Sequence, residues 1–487
     1  MEIKLNELKE IKLKKEAPLV FPLFEGEEVD LKELNLSKPA EKILKNLKEG
    51  ENEIILTEKG ERVIFTCLGK KEKFNEKKFR IWIRKVFREA KSKRWENFEI
   101  VLENLPLKKS FLVKEAACNL LLANYRFFKG KKEEEKEVKE VSLLIKNSKS
   151  YLKELKEGEI IGEAVNFARE LANLPPSELY PQKLAEKVKK EFKGNSFKIK
   201  VFDEKELEKL GFEGILRVGQ GSSHPPRLIV IKYFGRKERK SFDLGLAGKG
   251  VIFDSGGLNI KNWEGMLEMH LDKSGAAAVL GALRAISKLK LPLNIVAAIP
   301  AVENLPSGKS YHPRDILKLY NGKTVEVIHT DAEGRLILAD ALSFLSKDFK
   351  PKFILDVATL CKGTLVALGQ QIMAVFTNQE NLEEKLKQLG EKSGDYLWIF
   401  PLWEEYQEEI KSDFADLRNI GKGRYGDPIN ATIFLKNFVG DLPWIHIDIA
   451  PTMSTVESQA LSKGASGSGT RFLIAFAQEF LREFKND

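Results

Sequence analysis

The sequence predicts an α/β fold with two domains: a smaller N-terminal α/β domain and a larger C-terminal α/β/α domain with a largely parallel or mixed central sheet. The first observation is length, because 487 residues exceed the size at which one hydrophobic core usually stops growing. The second is the alternation of strand-like and helical patterns, which is typical of α/β folds. The third is a helical pattern that ends at two consecutive prolines, which is where we expect the linker between the domains. We expect an N-terminal domain over 1–155, a linker helix over 156–174 and a second domain over 175–487.

In the N-terminal part, short apolar runs alternate with amphipathic patterns rich in lysine and glutamate. They predict strands at 53–56 and 63–68 and helices at 76–90 and 114–128. The mixed-sign charge run at 129–141 predicts a solvated loop or the approach to a strand. We expect no function for this charge run, and we expect an oligomerisation or accessory role for the N-terminal domain.

The C-terminal part alternates strands and helices more clearly. The helical pattern IGEAVNFARELANL stops at a Pro-Pro pair, since proline ends helical hydrogen bonding. Asp254, Asp331 and Asp356 follow or close strand-like runs, and ligands in open α/β sheets bind beyond the carboxyl ends of strands. The sequence therefore predicts that acids gather at one edge of a largely parallel sheet. The predicted strands are 244–253, 293–301, 324–328 and 352–357, with helices at 275–289 and 336–345.

The composition narrows the classes of function. The formal charge of +9 comes from 81 basic against 72 acidic residues, so it predicts a solvated, mixed-charge surface, and we do not expect a nucleic-acid partner. Three cysteines without CxxC spacing argue against a disulfide framework and thiolate zinc sites. No apolar segment follows Met1, and no apolar stretch is long enough to span a bilayer. We expect a cytoplasmic protein with no membrane partner.

Two glycine-punctuated segments carry the chemistry. In the first, HTDAEGRL, Asp331, Glu333 and Arg335 stand at alternate positions between a strand-like run and a helical pattern. Carboxylate oxygens bind hard and borderline divalent cations, and two metals can share a bridging carboxylate. An aspartate before a helix is more often an N-cap, and we favour that role for Asp331 taken alone.

The second segment, GKGVIFDSGGLNIK at 248–261, holds Lys249, Asp254 and Lys261 around a glycine-rich turn. Each lysine by itself is best interpreted as an ordinary exposed side chain. Two lysines, an arginine and four acids, Asp272 included, nevertheless coincide at glycine-rich strand ends, where the backbone can approach a ligand closely. A catalytic metal site explains this combination of residues better than chance does.

These residues lie in longer motifs that resemble those of the leucine aminopeptidases, also called cytosol aminopeptidases, a family of two-metal exopeptidases. HTDAEGRL resembles the family's NTDAEGRL signature. The resemblance covers nearly all of 165–480, whereas 1–150 match only in general character. It continues through NFARELANLPPSELYP, GKGVIFDSGGLNIK, EMHLDKSGAAAV, AVENLPSG at 301–308, DVATL at 356–360 and WIHIDIA at 444–450.

The resemblance implies two divalent metal ions, zinc or manganese, in each subunit. One ion would be surrounded by Lys249, Asp254, Asp272 and Glu333. The other would be surrounded by Asp254, Asp331 and Glu333, so that two carboxylates bridge. Water held between the metals would attack the peptide carbonyl. The free α-amine of the substrate would bind one metal, which explains selectivity for N-termini because an amide nitrogen is a much poorer ligand.

The resemblance also implies two catalytic residues. Lys261 would stabilise the oxyanion, and Arg335 would hold a bicarbonate ion that relays the proton from the attacking water to the leaving amine. No histidine is then needed as general base, and we expect structural roles for all five. They are His224, His270, His312, His329 and His446.

For the substrate, the resemblance implies an apolar pocket around Met269, with Thr359, Leu360 and Gly363 framing the peptide. Methionine adapts to irregular aliphatic shapes, although Met269 outside its motif would be interpreted as a core residue. The chain also departs from the family pattern. His329 stands for asparagine, Lys273 follows Asp272, Cys361 and Lys362 follow DVATL, and RYGDPINAT at 424–432 stands where the family commonly has a doubled glycine and a small residue.

The resemblance thus implies a metal-dependent aminopeptidase that releases N-terminal residues, leucine-like ones preferred, from peptides, and it also implies a homohexamer. Two alternatives stay open. One is a dipeptidase of narrow specificity. The other is a nucleic-acid-binding hexamer with secondary peptidase activity.

Overall fold

The computed structural model describes residues 1–9, 11–27, 44–57, 59–127, 137–423 and 425–483. These residues form two compact units, one of Met1–Glu163 with Val456–Ser462 and one of Ala164–Thr455 with the chain from Lys463. Each unit combines helices with a sheet, so the predicted α/β class with two domains is confirmed. Within the described residues, no helix is both long enough and apolar enough to cross a membrane.

The N-terminal unit is built on a six-stranded sheet with the strand order β1-β6-β5-β2-β4-β3. All neighbouring strands pair in parallel except β3 and β4. The strands are β1 Glu2–Glu7, β2 Leu19–Leu23, β3 Asn52–Leu56, β4 Arg62–Cys67, β5 Asn97–Val101 and β6 Glu140–Ile145. The helices are α1 Glu76–Ser92 and α2 Lys109–Asn124, with 3-10 turns at Lys71–Lys73 and Ser148–Tyr151.

Two predictions in this unit need comment. The helix predicted at 114–128 spans Lys109–Asn124: it begins earlier, with Phe111 and Leu112 in its first turn, and it ends earlier, because the backbone of Tyr125 is extended. Of the charge run at 129–141, residues 129–136 lie outside the described part of the chain, and β6 begins at Glu140.

The second unit contains a nine-stranded mixed sheet and a small three-stranded sheet. Its strands are β7 Phe197–Phe202, β8 Arg227–Phe234, β9 Leu244–Gly248, β10 Gly250–Asp254, β11 Asn294–Asn304, β12 Ile316–Lys318, β13 Thr324–Glu326, β14 Phe353–Ala358, β15 Met373–Thr377, β16 Leu397–Ile399, β17 Leu417–Arg418 and β18 Trp444–Asp448. Its helices are α3 Leu152–Asn173, which begins in the first unit, α4 Pro181–Glu191, α5 Glu204–Leu210, α6 Glu213–Gly219, α7 Trp263–Met266, α8 Ser274–Lys288, α9 Glu333–Phe344, α10 Lys362–Leu368, α11 Glu383–Ser393, α12 Asp427–Lys436 and α13 Thr470–Glu483.

The large sheet has the order β16-β15-β18-β14-β9-β11-β8-β7, and β10 also pairs with β11. Its centre is parallel, since β18, β14, β9 and β11 run in one direction. The β15–β18, β11–β8 and β8–β7 pairs are antiparallel. Every residue of α9 is buried, and the apolar side chains of this helix belong to the core of the unit. Polar residues at its first turn are therefore held inside the protein.

Three details correct the prediction of a single acid-bearing sheet edge. The run at 244–253 is two strands, because the chain leaves the ladder at Lys249. The run at 324–328 shortens to β13 in the small sheet, so Asp331 does not extend a strand of the large one. Asp356 lies inside β14, where its carboxylate accepts hydrogen bonds from Trp444 Nε1 at 2.7 Å and contacts His446 Nδ1 at 2.7 Å. It is held by these neighbours and is not part of the acid cluster.

Candidate metal centre and active site

Three buried carboxylates form the centre of the candidate site. Asp254 is the last residue of β10, Asp272 follows the 3-10 turn Met269–Leu271, and Glu333 is the first residue of α9. One oxygen of each lies within 4.8 Å of the others. The site lies at the carboxyl ends of parallel strands, since β10 ends at Asp254 and Thr359 directly follows β14.

Lys249 lies between two of these acids. Its Nζ is 2.9 Å from Asp272 Oδ1 and 2.9 Å from Glu333 Oε1, and it donates a 2.7 Å hydrogen bond to the carbonyl of Thr359. Burial disfavours the charged amine, but the facing carboxylates outweigh that effect and raise the pKa of Lys249. The break between β9 and β10 directs this side chain toward the acids.

Lys261 connects the cluster to Asp331. Its Nζ is 2.8 Å from Asp254 Oδ2 and also forms an ion pair with Asp331. The turn before it requires Gly256, which has φ of 90° and no room for a Cβ, because that atom would lie 2.4 Å from the carbonyl oxygen of Asn259. Burial opposes the charge of Lys261, yet the surrounding acids raise its pKa.

The acids carry excess negative charge for a buried site. Burial raises the pKa of both Asp272 and Glu333, and repulsion from Asp254 adds to the rise. Asp272 Oδ2 and Glu333 Oε2 are buried without a hydrogen-bond partner in the described chain. Unpaired buried carboxylate oxygens are costly unless a cation or donor meets them. The donor set, oxygen-rich with one amine, fits a divalent cation such as zinc or manganese.

The residues expected around the substrate lie on two segments beside the acids. Thr359 Oγ1 donates a 2.6 Å hydrogen bond to Asp272 Oδ1, and Leu360 N donates to Asp448 Oδ1 at 3.0 Å. Gly363 is in α10, and Met269, half-buried, begins the turn that leads to Asp272. Of these four residues, Thr359 contacts an acid of the cluster directly. Leu360 and Gly363 follow it closely in the sequence, and Met269 precedes Asp272 by three positions.

Arg335 is buried at the start of α9. Its Nη1 donates to the carbonyl of Asn419 at 2.8 Å, and its Nη2 lies 3.2 Å from Asp427 Oδ1 and 3.8 Å from Cys361 Sγ. Burial disfavours the charge, but Asp427 and Cys361 raise the pKa of the guanidinium. Its Nε has no partner among the residues described.

Sequence reasoning assigned no role to several polar residues of the site. Asn304 Nδ2 donates to Asp254 Oδ1 at 2.9 Å, and Asn419 Nδ2 donates to the carbonyl of His329 at 2.7 Å. Asn304 closes β11 within AVENLPSG, so its position in that motif was a usable signal. Asn419 had no such signal. Asp427 lies in the segment already noted as departing from the family pattern, of which Arg424 is outside the described residues.

Three of the histidines make different contacts within the protein. His446 is buried against Asp356, and His224 stacks on Tyr180 and contacts Glu303 at 2.9 Å. His329 Nδ1 accepts the backbone N–H of Asp331 at 3.2 Å. This contact orients the loop that carries Asp331.

A mixed α/β fold with buried acids at the carboxyl ends of its strands defines a class of protein with a divalent metal site. Comparison with known proteins identifies the family within this class. Residues 166–474 match the model of the cytosol aminopeptidase family catalytic domain, and residues 48–134 match that of the family's N-terminal domain. The chain therefore belongs to the cytosol aminopeptidase family and is a peptidase of the hydrolase class. The predicted family and enzyme class are confirmed.

Similar proteins and a similar solved structure support this family assignment. A protein named "Probable cytosol aminopeptidase" from Cenarchaeum symbiosum (strain A) is 39% identical over 422 residues, which are 85% of this chain and 86% of the relative. One of the same name from Roseiflexus castenholzii is 45% identical over 362 residues, 73% of this chain and 74% of the relative. The structure is similar to that of the bottromycin maturation enzyme BotP in complex with Mn, with a TM-score of 0.85, 27% identity, and 95% of this chain and 99% of that chain covered.

Proposed function

We propose that this chain releases N-terminal amino acids, leucine-like ones preferred, from peptides at the cluster of Asp254, Asp272 and Glu333. The observation that carries the proposal is the convergence of the three buried carboxylates within 4.8 Å, two of them with an oxygen that lacks a partner in the described chain. Exopeptidase action follows from the family to which the chain belongs. Leucine preference rests on the aliphatic character expected around Met269.

The proposed ligands follow the geometry of the cluster. Lys249, Asp254, Asp272 and Glu333 would hold one ion, and Asp254, Asp331 and Glu333 the other. When bound, divalent cations polarise a carbonyl and lower the pKa of water to about 7. Lys249 must lose its proton to become a ligand, because only the neutral amine has a lone pair to offer. Zinc and manganese both suit the donors, and manganese is the metal named for BotP.

Lys261 is the proposed electrophile. Its Nζ, 2.8 Å from Asp254 Oδ2, is held at the edge of the cluster by two carboxylates. A fixed positive charge stabilises the oxyanion that develops when water attacks the peptide carbonyl. Thr359, Leu360 and Gly363 would frame the peptide, with Met269 lining the pocket for its first side chain.

Arg335 is proposed to hold the anion that carries the proton from the attacking water to the leaving amine. Its guanidinium is buried, and Nε lacks a partner in the described chain, which supports binding of a small oxyanion. Bicarbonate is the external candidate. We further propose a cytoplasmic homohexamer that takes peptides as substrates and binds neither nucleic acid nor membrane.

The test is hydrolysis of a leucine anilide by protein stripped with a chelator and resupplied with zinc or manganese. We expect activity to return with metal in the wild type and to stay low in Lys261→Ala, while metal content, measured by elemental analysis, is the same in both. A panel of dipeptides and longer peptides separates a general aminopeptidase from a narrow dipeptidase. No turnover with either metal on any N-terminal residue would overturn the proposal.

A further inference from the structure

A carboxylate of the chain itself already contacts the anion-binding arginine. Asp427 is the first residue of α12, and its Oδ1 lies 3.2 Å from Arg335 Nη2. The arginine side chain is 4% exposed, whereas that of Asp427 is 42% exposed. The pair therefore joins a buried cation to an acid that is accessible to solvent.

Asp427 also borders the segment proposed to frame the peptide. The Asp427 carbonyl is 3.9 Å from Cys361 Sγ. The ring of Pro428 lies so close to Gly363 that a Cβ on the glycine would be 2.9 Å from it. The start of α12 thus packs against residues 361–363, which places Asp427 beside the expected path of the substrate.

The other acids of the site are committed elsewhere. Asp254 and Asp331 contact Lys261, and Asp272 and Glu333 contact Lys249. Asp427 is different, because its carboxylate contacts Arg335 through Oδ1 while its side chain is 42% exposed to solvent. A carboxylate that is held by a cation through one oxygen and is partly exposed to solvent is suited to accept and return a proton.

We propose that Asp427 is the proton carrier of this site and takes the place of an external bicarbonate at Arg335, an inference that rests on the proposed function. As water attacks the peptide carbonyl and the C–O bond forms, the water proton passes to Asp427 Oδ2. The same proton then passes to the leaving nitrogen as the C–N bond breaks. Asp427 returns to its carboxylate form, and no other reactant is consumed.

An acid in the first turn of a helix also stabilises that helix through its dipole, by about 0.3–1 kcal/mol. A purely structural Asp427 would be explained by this effect. The test must therefore follow the proton carrier and not only the rate. Asp203, which caps α5 by accepting from Glu206 N at 3.0 Å, provides a helix-start control outside the site.

The experiment compares wild type, Asp427→Ala, Asp427→Glu and Asp203→Ala, all loaded with manganese in buffer freed of carbon dioxide. We expect wild type and Asp203→Ala to turn over leucine anilide at the same rate with or without added bicarbonate. Asp427→Ala should lose activity by about 10²-fold, the range of general acid–base catalysis, and recover when bicarbonate is added. Asp427→Glu should retain most activity. Metal content should be equal in all four.

A second readout uses metal-free protein and ¹³C-labelled bicarbonate. We expect the bicarbonate resonance to broaden with Asp427→Ala and not with wild type, because the guanidinium is vacated only in the variant. Wild-type activity that rises at least tenfold with bicarbonate, or an Asp427→Ala variant that is fully active without it, would overturn the inference while leaving the proposed function intact. A wild type that is inactive with both metals would instead reject the proposed function, and this inference with it.

Discussion

Lys249 Nζ lies 2.9 Å from Glu333 Oε1, and both side chains are almost completely buried. The two residues come from different elements, the break after β9 and the first turn of α9. In the metal-free protein this ammonium supplies part of the positive charge that the acids require. If Lys249 also binds a metal ion, as proposed, the same side chain affects both the stability of the metal-free protein and its affinity for metal.

Replacing this lysine should destabilise the metal-free protein. Lys249→Met leaves Asp272 and Glu333 buried without their shared cation, and breaking a buried ion pair by removing one partner costs about 3–5 kcal/mol. Urea unfolding of chelator-treated protein measures the loss. Lys309→Met, at an exposed position, is the control and should change the free energy of unfolding little. Equal loss in both variants would contradict the prediction.

Gly334 should be essential for placing Lys249. A Cβ at this position would lie 2.5 Å from Lys249 Cε and 2.7 Å from its Nζ, so Gly334→Ala must displace the ammonium from the acids. We expect metal affinity to fall about 10–100-fold, as when residues that orient metal ligands are changed. Titration calorimetry with manganese checks this. Gly308→Ala, where the new methyl would meet no atom within 4 Å, should bind metal as the wild type does.

Thr359 should stabilise Asp272, a proposed metal ligand, through the hydrogen bond to its carboxylate. Thr359→Val keeps the shape but removes the 2.6 Å bond to Asp272 Oδ1. A hydrogen bond to a charged group contributes about 1.5–3 kcal/mol. We expect a loss of this size in the unfolding free energy of the metal-free protein, measured by denaturant titration. A variant as stable as the wild type would show that the carboxylate is held by Lys249 alone.

Asp340 should make stability depend on pH. This residue of α9 accepts hydrogen bonds from Tyr320 N at 2.9 Å and Ile215 N at 3.0 Å, yet burial raises its pKa from 3.8 to about 7. Between these values the folded state holds a proton that the unfolded state releases, so stability falls as pH rises from about 4 to about 7, by about 4 kcal/mol in total, and is level above.

The Asp340→Asn variant isolates this effect, because the amide does not titrate. It should be less stable than the wild type near pH 4, where the protonated acid is well accommodated, and the difference should shrink as pH approaches 7. Unfolding free energies of both proteins at several pH values provide the test. A difference that stays constant with pH would refute the assigned pKa.

Much of the site was accessible from local sequence. The motifs around Asp254, Asp272 and Glu333 predicted a cluster, and the structure brings all three together. The same reasoning was wrong for Asp356. An aspartate near a strand end gives the same sequence pattern whether its side chain faces a ligand or a buried histidine. It also assigned no role to Asn419 and Asp427, since neither lies in a motif whose spacing marks a ligand.

The sequence alone determined the α/β class, the enzyme family and the acids of the site, because hydrophobic periodicity and contiguous motifs are local properties. Which distant residues pair depends instead on how the chain folds in three dimensions. Arg335 meets Asp427 across 92 positions, and Lys249 meets Thr359 across 110. Such contacts depend on the order of strands in the sheet and on the packing of α9 and α12, which no local pattern encodes. They also decide whether a buried charge is paired or open to a ligand.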